Sequence, residues 1–328
     1  GVSHVYNSCL SAHNADCAEN ETNPKRTTDF HCGKGFKLSV QQCVDQREAG
    51  GSAYFVWTDG TGLEHWFKKK NAKQKSNDLE GMGLKLIYYK REGNKLEHIT
   101  ITDKAHTVMT FKRRTSGDHA QWNNYWLTEI RDSIRREAGV YNTNEFSYEM
   151  PAAFGDASAV AAYEGMVSAV KDAAGRTVSF VYDDARRLTQ INWPGTTEEN
   201  ETQAQTRSAY FAYDADGRLT DVGYYDLQTS TEGPQYQTKL SYDGTLLTRV
   251  ENPYAQAIEI AYDRAAASAN GCSCECPYCC NVQEDRSARV RSLEFIANTT
   301  DGFMRGTKQL FEYDVLKTRV IAVENAES

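Results

Sequence analysis

The sequence predicts an all-β protein built from repeated antiparallel β-hairpins. Five segments share a Tyr-Asp pair that ends an alternating strand, and a short polar turn usually follows it. Tyrosine is frequent, with 19 residues, whereas proline and methionine are scarce, with 6 and 5. Aromatic side chains suit the pleated, half-buried surface of a sheet. The five segments are 180–191, 211–222, 240–250, 260–268 and 311–320.

The segment 208–222 shows how one repeat encodes a hairpin. Strand side chains alternate between faces with a period of two, so Phe211 and Tyr213 share a face. The sequence Asp214–Gly217 predicts a turn, because aspartate can accept from backbone N–H groups ahead of it and glycine tolerates a positive φ. The return strand is 218–222, in which Leu219 alternates with Thr220.

These segments resemble the YD repeats of the Rhs family, which includes bacterial toxin-associated shells and the animal teneurins. The resemblance is specific for 163–250 and weaker to 320, and the earlier half resembles the divergent region that precedes YD repeats in secreted bacterial members. It implies that the hairpins form an extended, spiralling sheet, either a partial shell or a fibre unit. The residues that define the repeats are Tyr182, Asp183, Tyr213, Asp214, Gly217, Arg218, Tyr242, Asp243, Tyr262, Asp263, Tyr313 and Asp314.

The chain divides into three parts by composition. Residues 1–30 are polar and contain cysteines, which suggests an N-terminal arm. Residues 31–150 predict a divergent region of β-hairpins, and 151–328 form the YD-repeat region with a Cys-rich insertion at 270–281. The Ala-rich stretch 151–162 is the predicted boundary. The strand signals before it are 36–40, 53–57, 63–67, 84–89, 96–102, 107–111, 125–130 and 145–150.

Composition predicts an extracellular or cell-surface protein without a membrane span. The mean hydropathy is −0.66, a quarter of the residues are charged, and no apolar run approaches the length of a membrane helix. The net charge of −8 argues against nucleic-acid binding, which needs a basic surface. The lysines of 68–75 are an exception, and we interpret them as a solvated hairpin loop.

Nine cysteines form two groups, one near each end of the chain. In an oxidising compartment they are disulfide candidates. Two alternatives remain open: a soft-metal site at Cys272–Cys280, since thiolates favour zinc or Cu(I), and free thiols. Because nine is odd, at least one cysteine forms an intermolecular bridge or stays a thiol. The cysteines are Cys9, Cys17, Cys32, Cys43, Cys272, Cys274, Cys276, Cys279 and Cys280.

Two further sets of residues are candidates for contacts with glycans. Three Asn-x-Ser/Thr sequons would accept glycans only in a glycosylating host, and they lie at Asn20, Asn200 and Asn298. Tryptophans could stack on sugars, although core packing is the alternative interpretation of each. These tryptophans are Trp57, Trp66, Trp122, Trp126 and Trp193.

The chain carries none of the common catalytic motifs, so we expect a protein that is not an enzyme and needs no cofactor. The chain lacks a Gly-x-Ser-x-Gly elbow, a His-Glu-x-x-His motif, a P-loop and a dinucleotide fingerprint. His65 and His98 fall in predicted strands, where we expect them to be cross-strand neighbours.

The leading functional prediction is an extracellular structural scaffold, meaning a shell segment or a self-assembling surface fibre. Its predicted partners are further copies of itself or flanking segments of a larger polypeptide. An extended sheet has two edge strands with unpaired backbone N–H and C=O groups, which must be paired or covered. We therefore expect a partner to cover them. The alternatives are a carbohydrate-binding or adhesion module, which would contact a glycan or a cell surface, and part of a toxin-encapsulating Rhs shell.

Overall fold

A computed structural model describes residues 2–7, 30–69, 75–90, 96–113, 125–135, 141–148, 165–195, 206–224, 236–263, 289–299, 302–314 and 317–324. Within these ranges the regular structure consists of antiparallel strands and contains no helix, which confirms the predicted all-β class. None of the described segments is therefore a helix of the length and apolarity that a membrane crossing requires.

The chain folds into two compact units. Unit 1 comprises Gly1–Asn7, Cys17–Cys32 and Phe36–Thr206, and unit 2 comprises Ser8–Asp16, Gly33–Gly35 and Arg207–Ser328. The boundary predicted at 151–162 lies outside the described residues, so the three-part division stays a prediction.

Unit 1 contains the first fourteen strands. They are β1 (His4–Tyr6), β2 (Phe36–Leu38), β3 (Cys43–Ala49), β4 (Ser52–Thr58), β5 (Glu64–Lys68), β6 (Lys75–Asn77), β7 (Lys85–Lys90), β8 (Leu96–Thr102), β9 (Val108–Arg113), β10 (Tyr125–Arg135), β11 (Tyr141–Ser147), β12 (Ala169–Lys171), β13 (Thr177–Tyr182) and β14 (Leu188–Pro194). The short strands β1 and β2 pair with each other in a sheet of their own.

Strands β3 to β10 of unit 1 close into a ring. Each strand neighbours the next one, and β5 meets β6 through a single bridge between Phe67 and Asp78. Strand β10 pairs with β9, and its first two residues, Tyr125 and Trp126, also pair with β3. Beyond a bulge in its pairing with β9, β10 exchanges β3 for β11 as its second neighbour. The ring therefore ends at β10, and the sheet continues from it as hairpins.

An aromatic core fills the ring. Phe55, Phe67 and Phe111 are fully buried, as are Leu86 and Ile99. The ring centroids of Phe55 and Tyr88 lie 5.2 Å apart, and those of Trp57 and Phe111 lie 6.5 Å apart. Because these side chains come from five different strands, their burial stabilises the ring only once it has closed.

Strand β3 lies outside the strands that the sequence pattern predicts. Its sequence carries Asp45 and Arg47, so it does not read as an apolar alternating strand. In the structure the carboxylate of Asp45 is fully buried and lies 3.1 Å from the guanidinium of Arg47, which also contacts Glu64 at 3.1 Å. These ion pairs offset the free-energy cost of burying the charged side chains.

The predicted positions of two histidines are confirmed. His65 lies opposite Trp57 with ring centroids 4.8 Å apart, and His98 stacks on Tyr89 at 4.1 Å.

The described residues from 206 onward form eight strands, each paired antiparallel with the next. They are β15 (Thr206–Tyr213), β16 (Leu219–Tyr224), β17 (Tyr236–Asp243), β18 (Leu246–Glu251), β19 (Ala257–Asp263), β20 (Arg289–Thr299), β21 (Gly302–Asp314) and β22 (Lys317–Glu324).

Candidate functional site

At three of the Tyr-Asp pairs, the tyrosine hydroxyl links a hairpin to the chain segment before it. The hydroxyl of Tyr242, at the end of β17, donates to the carbonyl of Leu219 at the start of β16, 2.6 Å away. In the same way Tyr262 donates to Leu247 at 2.8 Å. Because the strands are antiparallel, the end of one lies beside the start of the previous one, and the tyrosine hydroxyl bridges this position.

Two tyrosines of unit 1 make the same contact. Tyr182 donates to the carbonyl of Val167 at 2.9 Å, and Tyr148 donates to that of Leu127 at 2.7 Å. Tyr148 is followed by a glutamate, so no Tyr-Asp motif marks it as a member of this set. Phenylalanine could fill the same space but could not form the hydrogen bond.

The aspartate of the pair closes a five-residue turn. One oxygen of Asp214 accepts from the backbone N–H groups of Asp216 and Arg218, at 3.0 and 2.9 Å. Its other oxygen accepts from the Arg218 Nε at 2.7 Å. Gly217 has a φ of 76°, a left-handed conformation that glycine adopts without a steric cost. This is the three-residue hairpin loop with a type I turn and a left-handed residue.

This five-residue turn occurs at six places in the described chain. The carbonyl of the first residue accepts the N–H of the fourth, the N–H of the first donates to the carbonyl of the fifth, and the fourth residue always has a positive φ. Two of the turns, 59–63 and 103–107, lie within 31–150, the predicted divergent region. The fourth residues are Gly62 (88°), His106 (63°), Gly175 (82°), Arg186 (61°), Gly217 (76°) and Ala255 (57°).

One of these turns is a neutral copy of the charged ones. Asn252 replaces the aspartate, and its side-chain oxygen accepts from the N–H groups of Tyr254 and Gln256 at 3.0 and 2.9 Å. Its amide nitrogen donates to the Gln256 side chain at 2.9 Å, where a charged turn has an Asp–Arg pair. The backbone geometry therefore does not require a charge.

In two of the charged turns, 172–176 and 214–218, hydrogen bonds from the arginine favour the ionised form of the aspartate and lower its pKa. Hydrogen bonds from the Arg176 side chain and backbone lower the pKa of the exposed Asp172. At Asp214 partial burial acts to raise the pKa, but the hydrogen bonds from Arg218 outweigh it, and the net shift is downward. Both carboxylates lie 2.7 Å from their arginines. Such exposed ion pairs add little stability each.

The Leu-Thr sequence that follows the turn fills a β-bulge. In the β15–β16 pair, Tyr213 lies opposite Leu219 and Ala212 opposite Asp221, so Thr220 is the extra residue. The Thr220 hydroxyl donates to the carbonyl of Ala212 at 3.2 Å. The same bond joins Thr189 to Val181 at 3.2 Å and Thr248 to Ser241 at 3.1 Å. Threonine thus satisfies a carbonyl at the position where the bulge disrupts the ladder.

The sheet of unit 2 has one charged face. Cross-strand neighbours along it include Arg249, Glu259, Glu294 and Lys308. Arg249 lies 2.7 Å from Glu259, and Arg305 lies 2.8 Å from Glu294. These ion pairs of opposite sign stabilise the face and offset the like charges of Glu259 and Glu294, which lie directly opposite each other.

The opposite face of unit 2, here called the apolar face, carries aliphatic and aromatic side chains. The register places Leu240, Val250, Ile258 and Phe295 in one row across β17 to β20. The first three are half-buried. Five large side chains on this face are exposed: Tyr224 (48%), Phe295 (43%), Met304 (55%), Val320 (54%) and Val323 (55%). The apolar face is therefore open to solvent along much of its width.

The remaining repeat-defining residues lie in strands or at their ends. Asp183 accepts from the Arg187 backbone at 2.8 Å in its turn. Asp243 lies opposite Leu246, which leaves a two-residue turn. Tyr262 and Asp263 pair with Val290 and Arg289, whereas Tyr313 and Asp314 pair with Thr318 and Lys317. The Tyr-Asp pairs therefore lie at the ends of strands that pair antiparallel with the next strand, and the residues 264–288 that follow Asp263 lie outside the described residues.

The tryptophans divide between core and surface. Trp57 and Trp126 are 7% and 1% exposed, so glycan stacking does not fit either of them. Trp66 is half-buried against Tyr54, with ring centroids 5.5 Å apart, and Trp193 is also half-buried. For these two a glycan contact stays a prediction, and Trp122 lies outside the described residues.

The cysteines and sequons are only partly described. Cys32 and Cys43 are buried thiols, and the other seven cysteines lie outside the described residues, so the disulfide and soft-metal alternatives stay predictions. Within the described ranges there is no cluster of side chains suited to a metal ion. Asn298 lies in β20, whereas Asn20 and Asn200 fall outside the description.

No protein-family model matches the chain, and no curated protein matches it. Solved structures resemble it weakly in general fold. A complex of TcdB2, TccC3 and Cdc42 matches over 90% of this chain and 16% of the other, with 10% identity and a TM-score of 0.28. The chain thus spans about a sixth of that structure's length.

Two other solved structures match to a similar degree. The N-terminal domain of the effector protein SpvB from Salmonella typhimurium covers 94% of this chain and 92% of its own, with 10% identity and a TM-score of 0.26. A porin-like protein from Bacteroides uniformis covers 68% and 90%, with 10% identity and a TM-score of 0.29. Likenesses at this level indicate no function.

Proposed function

We propose that this chain is a wall segment of an extracellular YD-repeat shell. The observation that carries the proposal is the two-faced sheet of unit 2, which has a ladder of ion pairs on one face and the open apolar face on the other. An exposed apolar face of this kind is unfavourable in water and marks a surface that is covered or enclosed. A shell wall meets this requirement, because its inner face looks onto an enclosed volume.

The hairpin chemistry supports an architectural role. The described Tyr-Asp hairpins contribute turns closed by aspartate, bulges bonded by threonine and, at Tyr182, Tyr242 and Tyr262, a hydroxyl that bonds to the preceding segment. A sheet built in this way can be extended hairpin by hairpin, because each unit brings the contact that fixes it to its neighbour. The same residues are fully engaged in these contacts, which fits a scaffold rather than a catalyst.

Solvent access to the apolar face provides a first test. The isolated chain should bind the apolar dye ANS, and Ile258→Glu in the middle of the apolar face should reduce the binding. The matched control is Glu259→Gln, because Glu259 is the next residue of the same strand and lies on the charged face. Equal dye binding by both variants would contradict an accessible apolar face.

Electron microscopy of the complete product of the encoding gene tests the shell itself. A hollow particle whose wall contains this sheet is the expected result. Filaments would instead favour the surface-fibre alternative, and a solid particle with the apolar face packed against another domain would overturn the shell. Binding of a glycan array, lost on Trp66→Ala, would favour the adhesion alternative.

A further inference from the structure

Unit 1 encloses an amine and two thiols in one buried cluster. Cys32, Lys37 and Cys43 are all 0% exposed. None of them takes part in the hairpin contacts described above. A lysine is rarely fully buried without a charged partner, so its position calls for a chemical explanation.

Hydrogen bonds of Gln41 join the segment of Cys32 to the strand of Lys37. The Cys32 sulfur lies 3.1 Å from the carbonyl oxygen of Phe30 and 3.3 Å from the side-chain oxygen of Gln41, either of which can accept its single proton. The Gln41 side-chain oxygen also accepts from the backbone N–H of Leu38 at 2.8 Å, next to Lys37. Gln41 thus joins the segment that carries Cys32 to the strand that carries Lys37.

The amine of Lys37 lies between the same elements. Its Nζ donates to the backbone carbonyl of Asp59 and lies 4.8 Å from the centre of the Phe30 ring. Cys43 is directly opposite Thr58 in the β3–β4 register, and Thr58 precedes Asp59 in the chain. Both thiol-bearing segments therefore border the site of the amine.

The electrostatics agree with this arrangement. Burial lowers the pKa of Lys37 from 10.5 to about 8, and the nearby Cys43, Asp59 and Cys32 oppose that shift. A lysine with a lowered pKa has a larger neutral fraction near physiological pH, and the neutral amine is its reactive form.

From this geometry we propose that Lys37 and Cys43 form an oxidative cross-link, in which one oxygen atom joins the lysine nitrogen to the cysteine sulfur. The oxidant is dioxygen, which accepts four electrons. The S–H bond and one N–H bond break, an S–O and an O–N bond form, and the second oxygen atom leaves as water. Dioxygen is small and apolar, so it can reach a site that excludes larger oxidants.

The cross-link would join two parts of unit 1. Lys37 lies in β2, which pairs with the N-terminal strand β1, whereas Cys43 begins β3 of the ring. The bond would fix the β1–β2 sheet to the ring under oxidising conditions and would release it under reducing ones. This inference does not depend on the shell proposal.

Trypsin digestion followed by mass spectrometry tests the proposal on the intact chain exposed to air. An unmodified chain is cleaved after Lys34, Lys37 and Arg47. The cross-link would block cleavage at Lys37, so the expected product is the peptide 35–47 with one added oxygen, two fewer hydrogens and no alkylation of Cys43. Treatment with a thiol reductant before digestion should restore both cleavage and alkylation.

Three variants separate this cross-link from the alternatives. Cys43→Ser, which keeps the side-chain volume nearly unchanged, should restore cleavage at Lys37, whereas Cys32→Ser should leave the cross-link in place. A product that lacks two hydrogens and joins peptide 27–34 to Cys43 would show a disulfide and would overturn the proposal. Full cleavage at Lys37 with alkylated Cys43 in the air-exposed chain would overturn it as well. Lys37→Met, which conserves the shape but lacks the amine, should leave Cys43 open to alkylation.

Discussion

The tyrosine hydroxyl of the Tyr-Asp pair should contribute measurably to stability, and Tyr182→Phe is the sharpest test. Its hydroxyl donates to the carbonyl of Val167 at 2.9 Å, and both residues are buried, at 7% and 0% exposure. The substitution keeps the ring and leaves a buried carbonyl without that donor. Such a loss costs about 1–2 kcal/mol. For a unit of this size, the melting temperature should fall by roughly 2–8 °C.

The assay is thermal unfolding combined with amide hydrogen exchange. The amides of β12 and β13 should exchange faster in Tyr182→Phe, because the lost bond joins the start of that hairpin to its end. Tyr254→Phe is the control, since this tyrosine lies in a turn and is 72% exposed. If the two variants lose equal stability, the tyrosine contributes only its ring, and the hydroxyl is not the link between hairpins.

Three further predictions concern the turns and the buried lysine. Gly217→Ala should lower the free energy of unfolding by about 1 kcal/mol, because Gly217 has a φ of 76°. Ala255→Gly should raise it by about the same amount or less, because Ala255 has a φ of 57°. Urea unfolding of the two variants should therefore show changes of opposite sign in the free energy of unfolding. The pKa of Asp214 is lowered in the fold, so its stabilising effect is complete above the unfolded value near 3.8 and disappears as the pH falls through the folded value. Asp214→Asn with Arg218→Gln should keep the turn and flatten this acid dependence, and unchanged acid sensitivity would refute the assignment. Because the pKa of Lys37 falls from 10.5 to about 8, the unfolded chain binds the proton more tightly, so stability should rise between pH 8 and 10.5. Lys37→Met should remove that rise in a denaturation series across this range.

The local signals of the repeats were readable without a structure. Alternation placed Phe211 and Tyr213 on one face, and the Asp-x-x-Gly sequence located the turn at Asp214, because both features depend on residues that are neighbours in the chain. The all-β class followed from many such signals. By contrast, the turn at 103–107 was not recognised, since His106 occupies the left-handed position that usually signals itself by glycine.

Long-range contacts decided what the sequence could not. The sequence marked Tyr182 as part of a motif, but only the fold shows that its hydroxyl bonds to Val167, fifteen positions earlier. The ring of unit 1 closes through the pairing of Tyr125 and Trp126 with β3, residues that lie far apart in the chain, and no local pattern encodes that pairing. The cluster of Lys37 with two thiols has the same origin. Sequence determined the hairpins because turns and alternation are local, and tertiary structure decided which hairpins meet because burial depends on surfaces that come together only in the folded chain.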